Sequence, residues 1–220
     1  MIHLTRVLQN NHLNRAFNRL NPLTQTGFLG AATPFTVSGH SYVYKFLIAF
    51  SLLLASFMIP AVSTALRWEH DLIATHQWWR LITGNFTHTN AYHLLMNLAG
   101  LWIISYLFHA RWKKLSIYIA LISTFIGIGL LFTQTQIYYG LSGVLHGLFA
   151  LYAYQEVTRG KRSSWFLLAG LGLKLLAENS GFVTLSTAEL INARVSTESH
   201  LIGSLSGLAI ALLARKLLKQ

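Results

Sequence analysis

Cysteine is absent from the 220-residue chain, so disulfides, thiolate metal sites and a cysteine nucleophile are excluded and the redox compartment is left open. Charge is scarce. Asp, Glu, Lys and Arg make up 10% of the residues, against roughly 25% in a soluble domain, which argues against a soluble globule. Acids are scarcer still, 6 against 17 Lys and Arg, for a formal net charge of +11. Proline occurs only 3 times. With 53% hydrophobic residues and a mean hydropathy of +0.47, neither a disordered chain nor a collagen-like repeat fits. No internal repeat, low-complexity tract or second domain is visible in the sequence.

What is present is apolar sequence in membrane-length runs. Against the ~20 residues needed to cross a ~30 Å hydrocarbon core, six stretches qualify: residues 44–66, 91–108, 115–132, 141–157, 165–177 and 200–218. The fifth is short and reaches only about 20 Å as a helix, so it spans with help from its neighbours or extends into the following loop. The basic residues then set the orientation. Arg6, Arg15 and Arg19, then Arg111, Lys113 and Lys114, then Arg159, Lys161 and Arg162, then Arg215, Lys216 and Lys219 fall on one side. The alternate loops hold Arg67, Arg80 and Arg194, together with Glu69, Asp71, Glu178, Glu189 and Glu198. By the positive-inside rule both termini are cytoplasmic. The positive charge thus reads as a topology signal with some attraction to anionic lipid, and no nucleic-acid partner is expected.

The expected fold is an all-α integral membrane protein, a six-transmembrane-helix bundle over residues 44–220 behind a cytoplasmic arm, residues 1–43. That arm has no hydrophobic core followed by a small-residue cleavage site, so no cleavable signal peptide is expected. Leu13, Phe17 and Leu20, with Arg15 and Arg19 between them, have the spacing of a short interfacial helix; a mobile arm is the alternative.

Polar side chains inside spans are costly, so those that occur are functional candidates. The second span carries His93 and Asn97, four apart and on one face. The fourth opens with Gly140, Leu141, Ser142 and Gly143, followed by His146; the sixth opens with His200, then Gly203 and Gly207. These three spans run in the same direction, so His93, Ser142 and His200 are expected in one layer near the outer ends of their helices. A serine hydroxyl needs a base to take its proton, and an oxyanion needs donors in a dry site. Ser142 is the candidate nucleophile, His200 the candidate base, and His93 and Asn97 candidate oxyanion donors. Gly203 and Gly207 form a small-xxx-small face that lets the His200 helix approach a neighbour closely. No Asp lies in any expected span, so a third member of the site is absent or is Glu198. Lys174 is expected to snorkel or to pair with Glu178 one turn later. A metal site from His88, His93, His146 and His200 is not expected, since there is no His-Glu-x-x-His and no intramembrane carboxylate among them.

Taken in order, these motifs resemble the rhomboid family of intramembrane serine proteases over nearly the whole chain from the first span onward. Trp79-Arg80 precedes a helix approach containing His88, and His93-Leu94-Leu95-Met96-Asn97 resembles the family's His-x-x-x-Asn. Gly140 to Gly143 resembles its nucleophile motif, and His200 to Gly207 its His-x-x-Gly-x-x-x-Gly. The resemblance implies a Ser142–His200 dyad, an oxyanion site from His93, Asn97 and the Ser142 backbone N–H, and a structural role for Arg80. It implies no metal or cofactor. His146 stands where many rhomboids carry an aromatic that stacks on the catalytic histidine, and is expected to stack on His200 or hold its other ring nitrogen. The string from Gly140 to Gly147 and the compact length look most like the rhombosortase branch. That branch implies a Gram-negative inner membrane and membrane-anchored substrates with a carboxy-terminal tail: a small-residue pair, an apolar span and basic residues. A general rhomboid protease, a non-catalytic rhomboid-like helix-binding protein and a small transporter are the alternatives.

Overall fold

The computed structural model describes residues 37–180 and 185–217. The arm expected over residues 1–43, with the interfacial helix on Leu13, Phe17 and Leu20, lies outside the described residues as far as residue 36, as does Lys219. The first expected span, residues 44–66, is not one helix. Helix α1 (Val37–Ser56) stops, and α2 (Pro60–Leu66) sets off at 101° to it. The break is local chemistry: Pro60 has no N–H to continue a helix, and its ring holds Ile59 extended at φ −60°, ψ 124°.

Between α2 and the next long helix the chain makes a compact series of short elements: β1 (Trp68–Glu69), α3 (His70–Ala74), α4 (Arg80–Thr83) and a 3₁₀ turn at Gly84–Phe86. Arg80 is 4% exposed. Its guanidinium is satisfied by donating to the Thr64 and Arg67 carbonyls at 3.0 and 2.7 Å and to Gln77 Oε1 at 2.8 Å. Buried charge is tolerated here because the guanidinium donates to three oxygens, two of them backbone carbonyls. β1 pairs antiparallel with β2 (Ile137–Tyr138), Trp68 opposite Tyr138, and the fully buried Trp68 indole donates to the Gly127 carbonyl at 3.0 Å. This small sheet anchors the stretch that leads into Ser142.

The remaining long helices are α5 (Ala91–Leu107), α6 (Trp112–Leu130), α7 (Ser142–Thr158), α8 (Ser164–Asn179) and α10 (Thr197–Leu217), with the short α9 (Leu185–Ile191) before the last. Among the described residues, α6 and α10 are each long and apolar enough to cross a membrane; α1 from Ser41 and α2 pass only as a bent pair, and α5 is apolar but shorter. The other expected spans are helical without meeting that length, α7 with 17 residues and α8 with 16. Large apolar side chains such as Leu52, Leu95, Ile103, Phe125, Phe166, Leu205 and Leu213 point outward. A bundle whose exterior is as apolar as its interior is solvated by lipid, and the chain is an integral membrane protein.

α7 lies at the centre, and α10 packs directly on its backbone. A Cβ at Gly203 would stand 2.0 Å from the Gly143 carbonyl oxygen, and one at Gly207 2.0 Å from that of Gly147. Any side chain at these positions would force the two helices apart. The contact carries the amino-terminal turn of α10, with His200, against that of α7, with Ser142.

Candidate active site

Ser142 opens α7. The residue before it, Leu141, supplies no side-chain cap to the first-turn N–H groups. The chain reaches it through Gly140, whose φ of +112° and position against His93 both require glycine: a Cβ there would lie 2.6 Å from His93 Nε2. The Tyr138 hydroxyl, buried, donates to the Gly140 carbonyl at 2.5 Å and holds the turn.

His200 Nε2 lies 2.9 Å from Ser142 Oγ. On its other side, Nδ1 lies 2.8 Å from Glu178 Oε2. A carboxylate only accepts, so Nδ1 carries the ring proton and Nε2 presents its lone pair to the Ser142 hydroxyl. The imidazole is thus held in the tautomer that can receive a proton from serine. The ring is nearly enclosed, with its side chain 5% exposed and that of Glu178 9%. Glu178 Oε1 takes a hydrogen bond from Lys174, one turn earlier on α8.

Sequence reasoning paired Lys174 with Glu178 but did not bring either to His200, and it considered only Glu198 as a third member. Glu198 instead pairs with Arg194. The missed signal lay in the length of the fifth helix. α8 runs past residue 177 to Asn179, which keeps Glu178 on its last turn, at the same end of the bundle as Ser142 and His200.

His146, one turn into α7, stacks on His200 with ring centroids 4.0 Å apart and 14° between planes. Its Nδ1 bonds the Ser142 carbonyl at 2.7 Å. Of the two contacts open to His146 from the sequence, stacking is the one formed, because Glu178 occupies the other ring nitrogen. His146, Glu178 and His200 offer ligand atoms within 4.8 Å of one another, so the carboxylate that the sequence reading found missing from the histidine cluster is supplied by Glu178. Both Nδ1 atoms already carry hydrogen bonds, however, and stacked rings direct their lone pairs side by side rather than toward one point. The cluster is therefore arranged as a hydrogen-bonded set and fits a metal ion poorly.

His93 and Asn97 face Ser142 from α5. Asn90 caps that helix by accepting the His93 N–H at 2.8 Å, fixing where the His93 ring leaves the backbone. Thr89 Oγ1 donates to the Ile191 carbonyl at 2.6 Å and lies 3.0 Å from His93 Nδ1. With its one proton directed at Ile191, the Thr89 hydroxyl accepts from His93 Nδ1–H. Neutral His93 then shows the site an acceptor at Nε2. Asn97 Nδ2, by contrast, is buried and has no partner among the described residues, an expensive condition that an incoming oxygen would relieve. His88 packs edge-on against His93 at 5.0 Å and touches none of the reacting atoms; burial pushes it down to about 3, so it is neutral.

Ser142, His200, His93 and Asn97 border a cavity of about 300 Å³ that includes Tyr139, Val195 and Ser196 in its walls. Thr89 and Asn90 hold the end of α9 over it, Asn90 Nδ2 donating to the Leu190 carbonyl at 3.1 Å. The structure therefore gathers Ser142, His200, His93, Asn97, Gly140, Gly143 and His146 at one end of the bundle, with Gly203 and Gly207 in the helix contact behind them.

Fold and site define a membrane-embedded helical bundle with a serine, histidines and an asparagine gathered around one cavity. The chain belongs to the rhomboid family: residues 75–217 match the Rhomboid domain. It is also 27% identical over 184 residues to the "Putative rhomboid protease YdcA" of Bacillus subtilis (strain 168), a match covering 78% of this chain and 87% of that one. Family membership supports an intramembrane protease acting on membrane-embedded substrates.

Proposed function

We propose that this protein is an intramembrane serine endopeptidase in which Ser142 is the nucleophile and His200 the general base. The observation that carries the proposal is the 2.9 Å contact between Ser142 Oγ and a His200 ring whose tautomer suits it for the role. Ser142 Oγ attacks the scissile carbonyl as His200 Nε2 takes its proton, and the carbonyl oxygen becomes an oxyanion. Asn97 Nδ2 and the Ser142 N–H donate to that oxyanion; His93 joins them only as the imidazolium, since its neutral form presents an acceptor. His200 then passes the proton to the leaving amine. Water, deprotonated by the same ring, resolves the acyl-enzyme and restores Ser142.

The six-span arrangement with both termini in the cytoplasm belongs to this proposal and rests on the charge pattern. It sets the cavity near the outer face of a bacterial inner membrane, so the scissile bond lies near the outer end of a substrate span. The finer reading is rhombosortase-like: removal of carboxy-terminal tails of exported proteins. The narrow turn at Gly140, roofed by His93, favours a substrate strand with small residues at the cut, and small residues also loosen a helix so that its backbone can be reached. A general rhomboid protease of other single-span proteins is the second reading, supported by the match to the Bacillus subtilis rhomboid protease.

The test is labelling of the detergent-solubilised protein by a fluorophosphonate, together with cleavage of a single-span substrate. Ser142→Ala and His200→Ala should each abolish both, and the double variant should lose no more than either single one, because nucleophile and base act as a unit. Turnover persisting in Ser142→Ala would overturn the proposal, and a folded wild-type chain that neither labels nor cleaves would favour the non-catalytic reading.

A further inference from the structure

Rhomboid proteases are expected to work with a serine and a histidine alone, yet here the second ring nitrogen of the base is not free. His200 Nδ1 meets Glu178 Oε2 at 2.8 Å, both side chains are buried, and they come from different helices, 22 residues apart. Such a contact does not arise from helical spacing; α8 has to deliver its last turn to the start of α10. Lys174 takes the other carboxylate oxygen from the half-exposed side of α8, so the charge is partly balanced and the carboxylate keeps one oxygen for the ring.

We propose that Glu178 is the third member of the site: a positioning residue that fixes the His200 tautomer and stabilises the imidazolium formed when Ser142 is deprotonated. The proposal rests on the serine protease reading. Three things follow from the geometry. With Nδ1–H donated to Glu178, the ring keeps both the tautomer and the orientation that turn the Nε2 lone pair, and not an N–H, toward Ser142. The positive charge that appears on the ring during attack is met by a fixed negative group in a site with little water, where such a contact is stronger than at a surface. His146 covers the ring face, Ser142 Oγ meets Nε2, and among the described residues Glu178 is the anion within hydrogen-bond reach of His200. The proton balance is unchanged: it moves from Ser142 Oγ to Nε2 and on to the leaving amine, while the Nδ1 proton remains on the ring and Glu178 stays ionised.

The same carboxylate has a structural alternative, that it serves only the ion pair within α8. Four variants separate the two in the full-length protein: Glu178→Gln, Glu178→Asp, Lys174→Met and Ser142→Ala. Each is assayed for kcat and KM on a single-span substrate, for the rate of fluorophosphonate labelling and for thermal midpoint in detergent. The result expected is a fall in kcat and in labelling rate of about 10- to 100-fold for Glu178→Gln, with KM within about twofold and the midpoint little changed. Glu178→Asp should recover part of the rate, and Lys174→Met should retain at least about a third of it. Wild-type kcat and labelling in Glu178→Gln would overturn the proposal, and so would an equal loss in Lys174→Met, which would assign the effect to the ion pair. Ser142→Ala keeps the two levels apart. If it is inactive while Glu178→Gln matches wild type, the protease reading stands and the third member falls; if Ser142→Ala is active, both fall.

Discussion

The His146 and His200 rings lie face to face, 4.0 Å apart with 14° between their planes. Stacking fixes the plane of the base, and the hydrogen bond that Nδ1–H donates to Glu178 fixes its rotation within that plane, so together they leave His200 one orientation toward Ser142. His146 is itself held by its bond to the Ser142 carbonyl. The nucleophile's own helix thus supplies the surface on which its base rests.

If His146 acts by stacking, a flat ring without imidazole chemistry should replace it. His146→Tyr is expected to keep kcat within a few-fold of wild type. His146→Leu should lose at least ~1 kcal/mol of transition-state stabilisation, roughly fivefold in rate. Turnover by Leu equal to that of the parent would show that the contact does not support the base.

Asn97 offers a separation of stability from chemistry. Its buried Nδ2 has no partner among the described residues, so Asn97→Ala removes no resting hydrogen bond seen at that atom and should leave the thermal midpoint nearly unchanged. An oxyanion donor should nevertheless be lost, lowering kcat by roughly 10²- to 10³-fold with little change in KM. A large drop in midpoint with kcat preserved would make Asn97 a packing residue.

The α7–α10 contact predicts opposite results at two helical glycines. At Gly207 a Cβ would stand 2.0 Å from the Gly147 carbonyl oxygen, whereas at Gly170 on α8 it meets nothing within 4 Å. Gly207→Ala should cost on the order of 1–3 kcal/mol through overpacking and displace His200 from Ser142. Gly170→Ala should be neutral or stabilise by up to roughly 1 kcal/mol. Thermal unfolding in detergent and fluorophosphonate labelling read both effects. Equal midpoints for the two variants would mean that the helices are not in backbone contact.

The tail-sorting reading is tested in the cell. Deleting the gene should leave exported proteins that carry a small-residue pair, an apolar span and terminal Lys or Arg with these tails intact, as intact-mass spectrometry of their carboxy-termini would show. Tails removed equally well in the deletion strain, with no other rhomboid present, would leave the general protease as the better reading.

The sequence by itself determined what kind of solvent this protein needs and which polar residues deserve suspicion. Apolar length and the scarcity of charge are properties of composition along the chain, and a histidine or serine in an apolar run is conspicuous without coordinates. The pairing of His93 with Asn97 and of His200 with Gly203 and Gly207 was legible because helical spacing puts each set on one face, and Ser142 stood out by its flanking glycines, which allow a tight turn. Hydropathy also missed a bend: residues 44–66 read as one apolar run, while Pro60 divides it into α1 and α2, a backbone effect that an apolar count ignores. Glu178 shows what only the tertiary structure decided. One dimension ties it to Lys174, four residues away, and α8 indeed makes that bond. Its bond to His200 depends on where the ends of α8 and α10 meet in space: helical spacing marks the face of α10 that carries Gly203 and Gly207 but not the helix it packs on, and the side-chain packing that places α8 has no period that can be read along the chain.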